Sequence, residues 1–174
     1  MSSSDRLPQS RRLFLQRGLA LTALGPLAAC GFRPVYGTGG PAQNLVDRVR
    51  VDDPGDSNSF YLVERLEERL GRSDDAQYRL GYTIGVNQRS LGLTGANTVT
   101  RYNIDGTVNY RLTRAADGHQ LATGIVRTFV SFSSSGTTVA TASANADAYQ
   151  RLMRLLADQI VNELIASSGR WSAT

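Results

Sequence analysis

One residue carries the plainest chemistry in this sequence. Cys30 closes the run Leu27-Ala28-Ala29-Cys30, a lipobox pattern in which the thiol receives a diacylglyceryl group and the chain is cut just before the cysteine. Small side chains ahead of the cut let a peptidase reach the backbone, and the thiol supplies the nucleophile for the thioether. A buried apolar cysteine is the other common use of this residue, but the flanking sequence agrees with lipid attachment. Residues 1–29 have the layout of a secretory signal peptide, with Arg6, Arg11, Arg12 and Arg17 ahead of an apolar run over residues 18–29. Twelve helical residues span about 18 Å, short of the ~30 Å hydrocarbon core. Gly25 and Pro26 also suit a cleavable segment better than a permanent span. The stretch Ser10-Arg11-Arg12-Leu13-Phe14-Leu15 reads equally as a twin-arginine export signal or as two arginines in an ordinary positive start. Gly31, not Asp, follows the cysteine, which by analogy with enteric bacteria points to the outer membrane. The expectation is a signal peptide, a covalent N-terminal lipid on Cys30 with fatty chains such as palmitate, and no other cofactor.

Other chemistries lose their usual parts. With 1 Cys and 1 His, neither an intramolecular disulfide nor a cysteine-built or two-imidazole metal site can form. His119 sits beside Asp117-Gly118, with no acid-plus-nucleophile spacing around it, and reads as a solvated turn histidine. A periplasmic esterase would need its base from that residue. Asp52-Asp53 and Asp74-Asp75 flank elements as caps and turns rather than as paired catalytic carboxylates. The glycine-rich Gly92-Leu93-Thr94-Gly95-Ala96 is no phosphate loop, because no lysine follows it. No catalytic and no metal site is expected: the sequence does not read as an enzyme.

All 19 positive side chains are arginines, and the net charge is +4. Without residues 1–29 the balance is 15 arginines against 14 acids, so the folded part is not a nucleic-acid binder. Arg79, Arg89, Arg101, Arg111 and Arg127 fall on or near strand-like runs. An anionic ligand bearing phosphates would find bidentate guanidinium donors there, although any one of them alone reads as solvated surface.

These side chains need a scaffold, and 174 residues with 41% hydrophobic content suffice for one domain. The expected organisation is a signal peptide over 1–29, a lipidated N-terminus and tether over 30–43, a single domain over 44–168 and a tail over 169–174. Leu45, Val49 and Val51 lie in a short extended segment, closed by the turn residues Pro54 and Gly55. Asn58 or Ser59 caps a helix with Phe60, Val63, Leu66 and Leu70 along one face, stopped by Gly71. Its charged residues, Glu64 to Arg69, read as a solvated face with weak local ion pairs. From Tyr78 the period becomes two: Tyr78, Leu80, Tyr82, Ile84 and Val86 alternate with polar or small residues, as do Tyr102, Ile104, Val108, Tyr110 and Leu112. Gln88 to Thr100 is a long connection between these strands, and its tip is a candidate partner loop or a loop without a role. Asp117-Gly118 makes a hairpin into a third run, Gln120 to Ser133. That run has Leu121, Ile125 and Phe129 on one side and Val126, Val130 and Phe132 on the other, so it is central or has its outer face covered. A closing helix runs from about Ala144 to Ser167. The fold class is α+β: a mostly antiparallel four-stranded sheet with two helices packed on one face, in the order β-α-β-β-β-α.

The start Cys30-Gly31-Phe32-Arg33-Pro34-Val35-Tyr36 directly after a lipobox resembles the LPS-assembly lipoprotein LptE family in its alphaproteobacterial form. The element order, the strand Thr100 to Leu112 and the patch Val126-Arg127-Thr128-Phe129 are similar to that family too. The resemblance implies a non-catalytic, lipid-anchored protein at the periplasmic face of the outer membrane. It implies that the protein plugs and helps assemble the LptD β-barrel, and binds lipopolysaccharide during transport to the cell surface in Gram-negative envelope biogenesis. It places lipopolysaccharide contacts at Arg127, by motif, and at Arg101 and Arg89, by position. The partner loop would be Leu91, Gly92, Leu93, Thr94, Gly95 and Ala96. The absence of lysine departs from relatives that use both cations. The alternative is an accessory lipoprotein of an inner-membrane lipid or solute transporter.

Overall fold

The computed structural model describes residues 40–93, 99–134 and 137–171. A single 3-10 turn over Pro41–Asn44 leads into β1 (Val49–Val51), helix α1 (Ser57–Leu70), β2 (Tyr78–Leu93), β3 (Val99–Arg114), β4 (Gln120–Ser133) and helix α2 (Thr138–Trp171). The strands form one sheet in the order β1-β2-β3-β4. β2, β3 and β4 are antiparallel neighbours, but β1 runs parallel to β2, so the sheet is mixed. The reason is the connection: α1 carries the chain back over the sheet between β1 and β2, which a tight hairpin cannot do. Ala42 and Leu45 are already buried in the core.

Helix α1 starts one cap earlier than its sequence implied. Asp56, not Asn58 or Ser59, is the cap; its carboxylate accepts the Ser59 backbone N–H at 2.7 Å, and the Ser59 hydroxyl accepts the Asp56 N–H at 2.8 Å. The Ser59 N–H, and then the Ser59 hydroxyl donating to Asp56 Oδ1 at 2.7 Å, hold the Asp56 carboxyl below its ordinary pKa of 3.8. The buried stripe is Ser59, Leu62, Val63, Leu66 and Leu70; Phe60 lies about 100° round the helix from its centre, at 100° per residue, and is exposed. The charged face of α1 is not purely local in its pairing. Arg65 and Arg69 both reach Asp158 on α2, at 3.0 and 2.6 Å, and tie the two helices together.

Helix α2 is longer than expected, 34 residues, passing through Gly169 to Trp171, whose ring packs edge-on to Tyr78 at 5.3 Å. That aromatic contact and the burial of Ser167 and Ser168 hold the last turns that glycine would otherwise release. Among the described residues no helix is long and apolar enough to cross a membrane. α2 buries Leu152, Met153, Leu156, Ile160 and Leu164 against the even-numbered side chains of the sheet, including Leu80, Ile104, Val108 and Leu112. At Gly106 the helix comes close: a Cβ there would lie 2.8 Å from Leu156 Cδ1 and 3.0 Å from Leu152 Cδ2. Beneath Gly124, Tyr110 turns its hydroxyl to Glu163 of α2, donating at 2.6 Å. Burial first, then this bond, pushes the phenol above its ordinary pKa.

The third run is not central. β4 is an edge strand, and Ile125 and Phe129 stand 50% and 64% exposed on the face away from the helices. Leu121 does not join them. A register shift between Leu112 and Thr113 leaves it unpaired in the ladder, and it packs on the core instead.

Two substitutions check this packing by urea unfolding. Gly106→Val forces β3 and α2 apart and is expected to cost about 1–3 kcal/mol. Asp56→Ala is expected to cost about 1 kcal/mol at neutral pH. Because the native carboxyl titrates below its unfolded value, its contribution is present above pH 3.8 and fades as pH falls through the lower native value, so the gap between wild type and variant narrows on acidification.

Candidate functional site

Strand alternation sorts the sheet into two unlike faces. Even-numbered residues of β2 and β3 meet the helices, and odd-numbered residues point away, where no described element covers them. The five arginines singled out on the strands, Arg79, Arg89, Arg101, Arg111 and Arg127, all occupy odd positions and therefore share this open face. Arg50 joins them, beside Arg79 in the β1–β2 register. Two carboxylates, Asp52 and Asp105, stand among the six arginines. By contrast, α1 and α2 together carry six acids and five arginines. The positive charge of the folded part is thus concentrated on one side of the molecule.

The arginines are not equivalent. Arg89 gives Nε and a terminal nitrogen to Asp105 Oδ2, at 2.8 and 2.6 Å. Asp105 also accepts from Asn103, which in turn accepts from Ser131, so this network crosses three strands. Arg79 gives Nε to Asp52 at 2.6 Å, and this bond raises the guanidinium further above its ordinary pKa. Arg101, Arg111 and Arg127 are exposed and make no ion pair with any described residue. Register pairs Arg89 with Asn103, two residues from Arg101, so these two stand together near the β2–β3 hairpin end. Arg127 pairs with Thr107, six residues from Arg101, about 20 Å along the sheet at ~3.4 Å per residue. The three proposed contacts are therefore one pair and one separate site. Around Arg127 the face changes character, because Ile125 and Phe129 flank it on the same strand face and are the apolar residues left bare there.

The long connection expected over Gln88 to Thr100 is instead mostly paired strand. β2 continues to Leu93 and β3 begins at Val99, because Gln88, Arg89 and Ser90 find partners in Ile104, Asn103 and Tyr102. Leu91 falls at a register shift between Ser90 and Gly92 and is 60% exposed. Gly92 and Leu93 lie on the strand, and Thr94, Gly95 and Ala96 lie outside the described residues, as does Cys30 with the whole of 1–39. His119 is exposed in the β3–β4 turn, its backbone N–H donating to Asp117 at 3.0 Å.

A family profile, described as LptE: Lipopolysaccharide-assembly, matches residues 46–164. The chain belongs to the LptE family. No curated protein sequence matches it. Solved structures of the same fold include a lipoprotein from Caulobacter crescentus, at a TM-score of 0.65 and 19% identity, covering 77% of this chain and 99% of that one. The rare lipoprotein B from Shewanella oneidensis follows at a TM-score of 0.56 and 14% identity, covering 72% and 97%. A lipoprotein B from Nitrosomonas europaea has a TM-score of 0.55 and 16% identity, covering 72% and 86%. LptE membership makes this chain a lipopolysaccharide-assembly lipoprotein of a non-enzymatic family, associated with a membrane. It sides with that expectation over the transporter-accessory one.

In this LptE-family chain the geometry adds Arg50, Arg111, Ile125 and Phe129 to the candidate surface. The signal for the arginines was their shared odd parity along paired strands, which becomes usable only when the register is known. The signal for Ile125 and Phe129 was their apolar character on the polar side of a strand. Phe129→Ser is expected to change the unfolding free energy by under ~0.5 kcal/mol, as for an exposed site. Phe132→Ser, on the opposite face and stacked on Tyr102 at 5.2 Å, removes a buried ring and is expected to cost about 3 kcal/mol or more. Thermal melts of the two variants check that the face is open.

Proposed function

We propose that this chain is anchored by a lipid on Cys30 at the periplasmic face of the outer membrane, binds lipopolysaccharide on its open sheet face, and occupies the lumen of the LptD barrel as plug and assembly aid. The observation that supports this most is the segregation of uncommitted arginines to a face no helix covers. Arg127 is the best-placed phosphate contact. Its guanidinium has no carboxylate partner among the described residues, and Ile125 and Phe129 beside it provide apolar surface for an acyl chain. Arg101 stands with Arg89 near the hairpin end, where Arg89 is partly committed to Asp105 and Arg101 is the freer donor.

The rest of the face suits a barrel lumen. Thr83, Asn87, Thr107 and Asn109 present hydroxyls and amides at odd positions, and a barrel interior is polar and wet, so docking there needs no large apolar patch. The described end of the β2–β3 hairpin, with Leu91 exposed at its bulge, is the natural element to reach the barrel wall.

Arg127→Glu is expected to lower affinity for purified lipopolysaccharide about tenfold or more, the scale of one lost charge-assisted contact, with the melting temperature unchanged. Equal affinity in the folded variant would remove Arg127 from the site. Shortening Leu91 to Ala96 is expected to abolish co-purification with the barrel while leaving lipopolysaccharide binding intact. Undiminished barrel recovery would take the hairpin end out of the interface.

A further inference from the structure

Gly81 opens a gap in the exposed sheet face. It sits at an odd position of β2, directly across the ladder from Arg111, and where its neighbours Arg79 and Thr83 project side chains it projects none. The result is a depression of about 380 Å³ on the open face, lined by Arg79, Arg111, Asp52, Thr83 and Asn109 around Gly81. Asp52 marks one wall: its Oδ2 lies 3.3 Å from the point where a Cβ on Gly81 would stand.

The charges in this depression are arranged, not merely present. Asp52 holds Arg79 through Nε at 2.6 Å, which fixes that side chain and leaves its terminal amino groups outside this bond. Arg111 is exposed and has no ion-pair partner among the described residues. Two guanidiniums against one carboxylate leave a net positive site. Around it, a threonine hydroxyl and an asparagine amide both donate and accept hydrogen bonds, and the Asp52 oxygens accept them. A bare inorganic anion would use only the cations and would face the Asp52 carboxylate. A ligand with one anionic group and several hydroxyls uses the whole lining.

We propose that the Gly81 depression is a binding subsite for an anionic sugar, with Arg111 taking the charged group and Asp52, Thr83 and Asn109 the hydroxyls. It deepens the lipopolysaccharide reading by adding a place for the sugar part of that ligand, distinct from the phosphate and acyl contact at Arg127. Arg111 lies four residues along β3 from Thr107, the partner of Arg127, so the two sites are about 14 Å apart along the strand direction at ~3.4 Å per residue.

The test is an amide NMR titration of the full lipidated protein in detergent micelles with glucose 1-phosphate and, separately, glucuronate. Between them they separate a phosphate from a carboxylate as the anion. Saturable shifts at Gly81, Thr83 and Arg111 are expected with at least one of them, with neutral glucose and inorganic phosphate each at least tenfold weaker. Arg111→Gln is expected to abolish the response, and Arg127→Glu to preserve it. The absence of saturable shifts at Gly81 with both sugars, or an equal response to inorganic phosphate, would overturn the subsite. If the sugars bind here while purified lipopolysaccharide does not bind the protein, the subsite stands and the lipopolysaccharide reading fails. If lipopolysaccharide binds and neither sugar does, the subsite falls alone.

Discussion

Helix α2 lies so near β3 that a Cβ at position 106 would press on the Leu152 and Leu156 side chains, and this packing decides which face of the sheet is left for other work. A pleated strand sends successive side chains to opposite sides. Once Leu152 and Leu156 seal one side, the even positions of β2 from Tyr78 to Val86 and of β3 from Tyr102 to Leu112 turn to the core side, and the odd positions opposite them turn away. The arginines of the strands all sit at odd positions. Their shared exposure is thus a consequence of one helix–sheet contact together with the register, and a slip of one residue in either strand would bury guanidiniums and expose leucines.

Much of this was legible in the sequence, for reasons that particular residues make plain. Period-two alternation from Tyr78 and again from Tyr102 is a strong signal, and Asp117-Gly118 marked the hairpin that joins β3 to β4, with Gly118 at φ 72°. The bounds of β4 match those the sequence implied. What was hidden depended on distant contacts. The parallel pairing of β1 is set by α1 packing between two strands. The length of β2 and β3 near the hairpin is set by their pairing with each other, since Ser90 to Leu93 look like loop until Val99 to Tyr102 lie opposite. Phe60 looked like core because an aromatic at helical spacing usually is. Leu62 and Ser59 extend the buried stripe on the side away from Phe60, so its ring lies outside the packed face.

The candidate surface was half legible. Five of its arginines were visible as residues on strands, yet whether they share a face depends on register, and whether they are free depends on side chains elsewhere. Asp105 takes up Arg89 and Asp52 takes up Arg79, and no local pattern announces either pair. Ile125 and Phe129 were visible as apolar residues on one side of a strand whose other side is apolar too. The inference that this makes the strand central or covered failed within the described residues, because β4 is an edge and its outer face is bare. On the proposed reading, apolar side chains next to an unpaired guanidinium would serve an amphipathic ligand. Arginine is also suited to such a face, because its planar fork can grip two phosphate oxygens at once.

The central claim is that the face opposite the helices, not the helices, meets lipopolysaccharide. The most direct measurement is photo-crosslinking in intact envelopes from single sites on each side: Thr107 on the open face, and Leu155, exposed on α2. Lipopolysaccharide adducts from Thr107 and none from Leu155 are the predicted result. Adducts from Leu155 with none from Thr107 would contradict it.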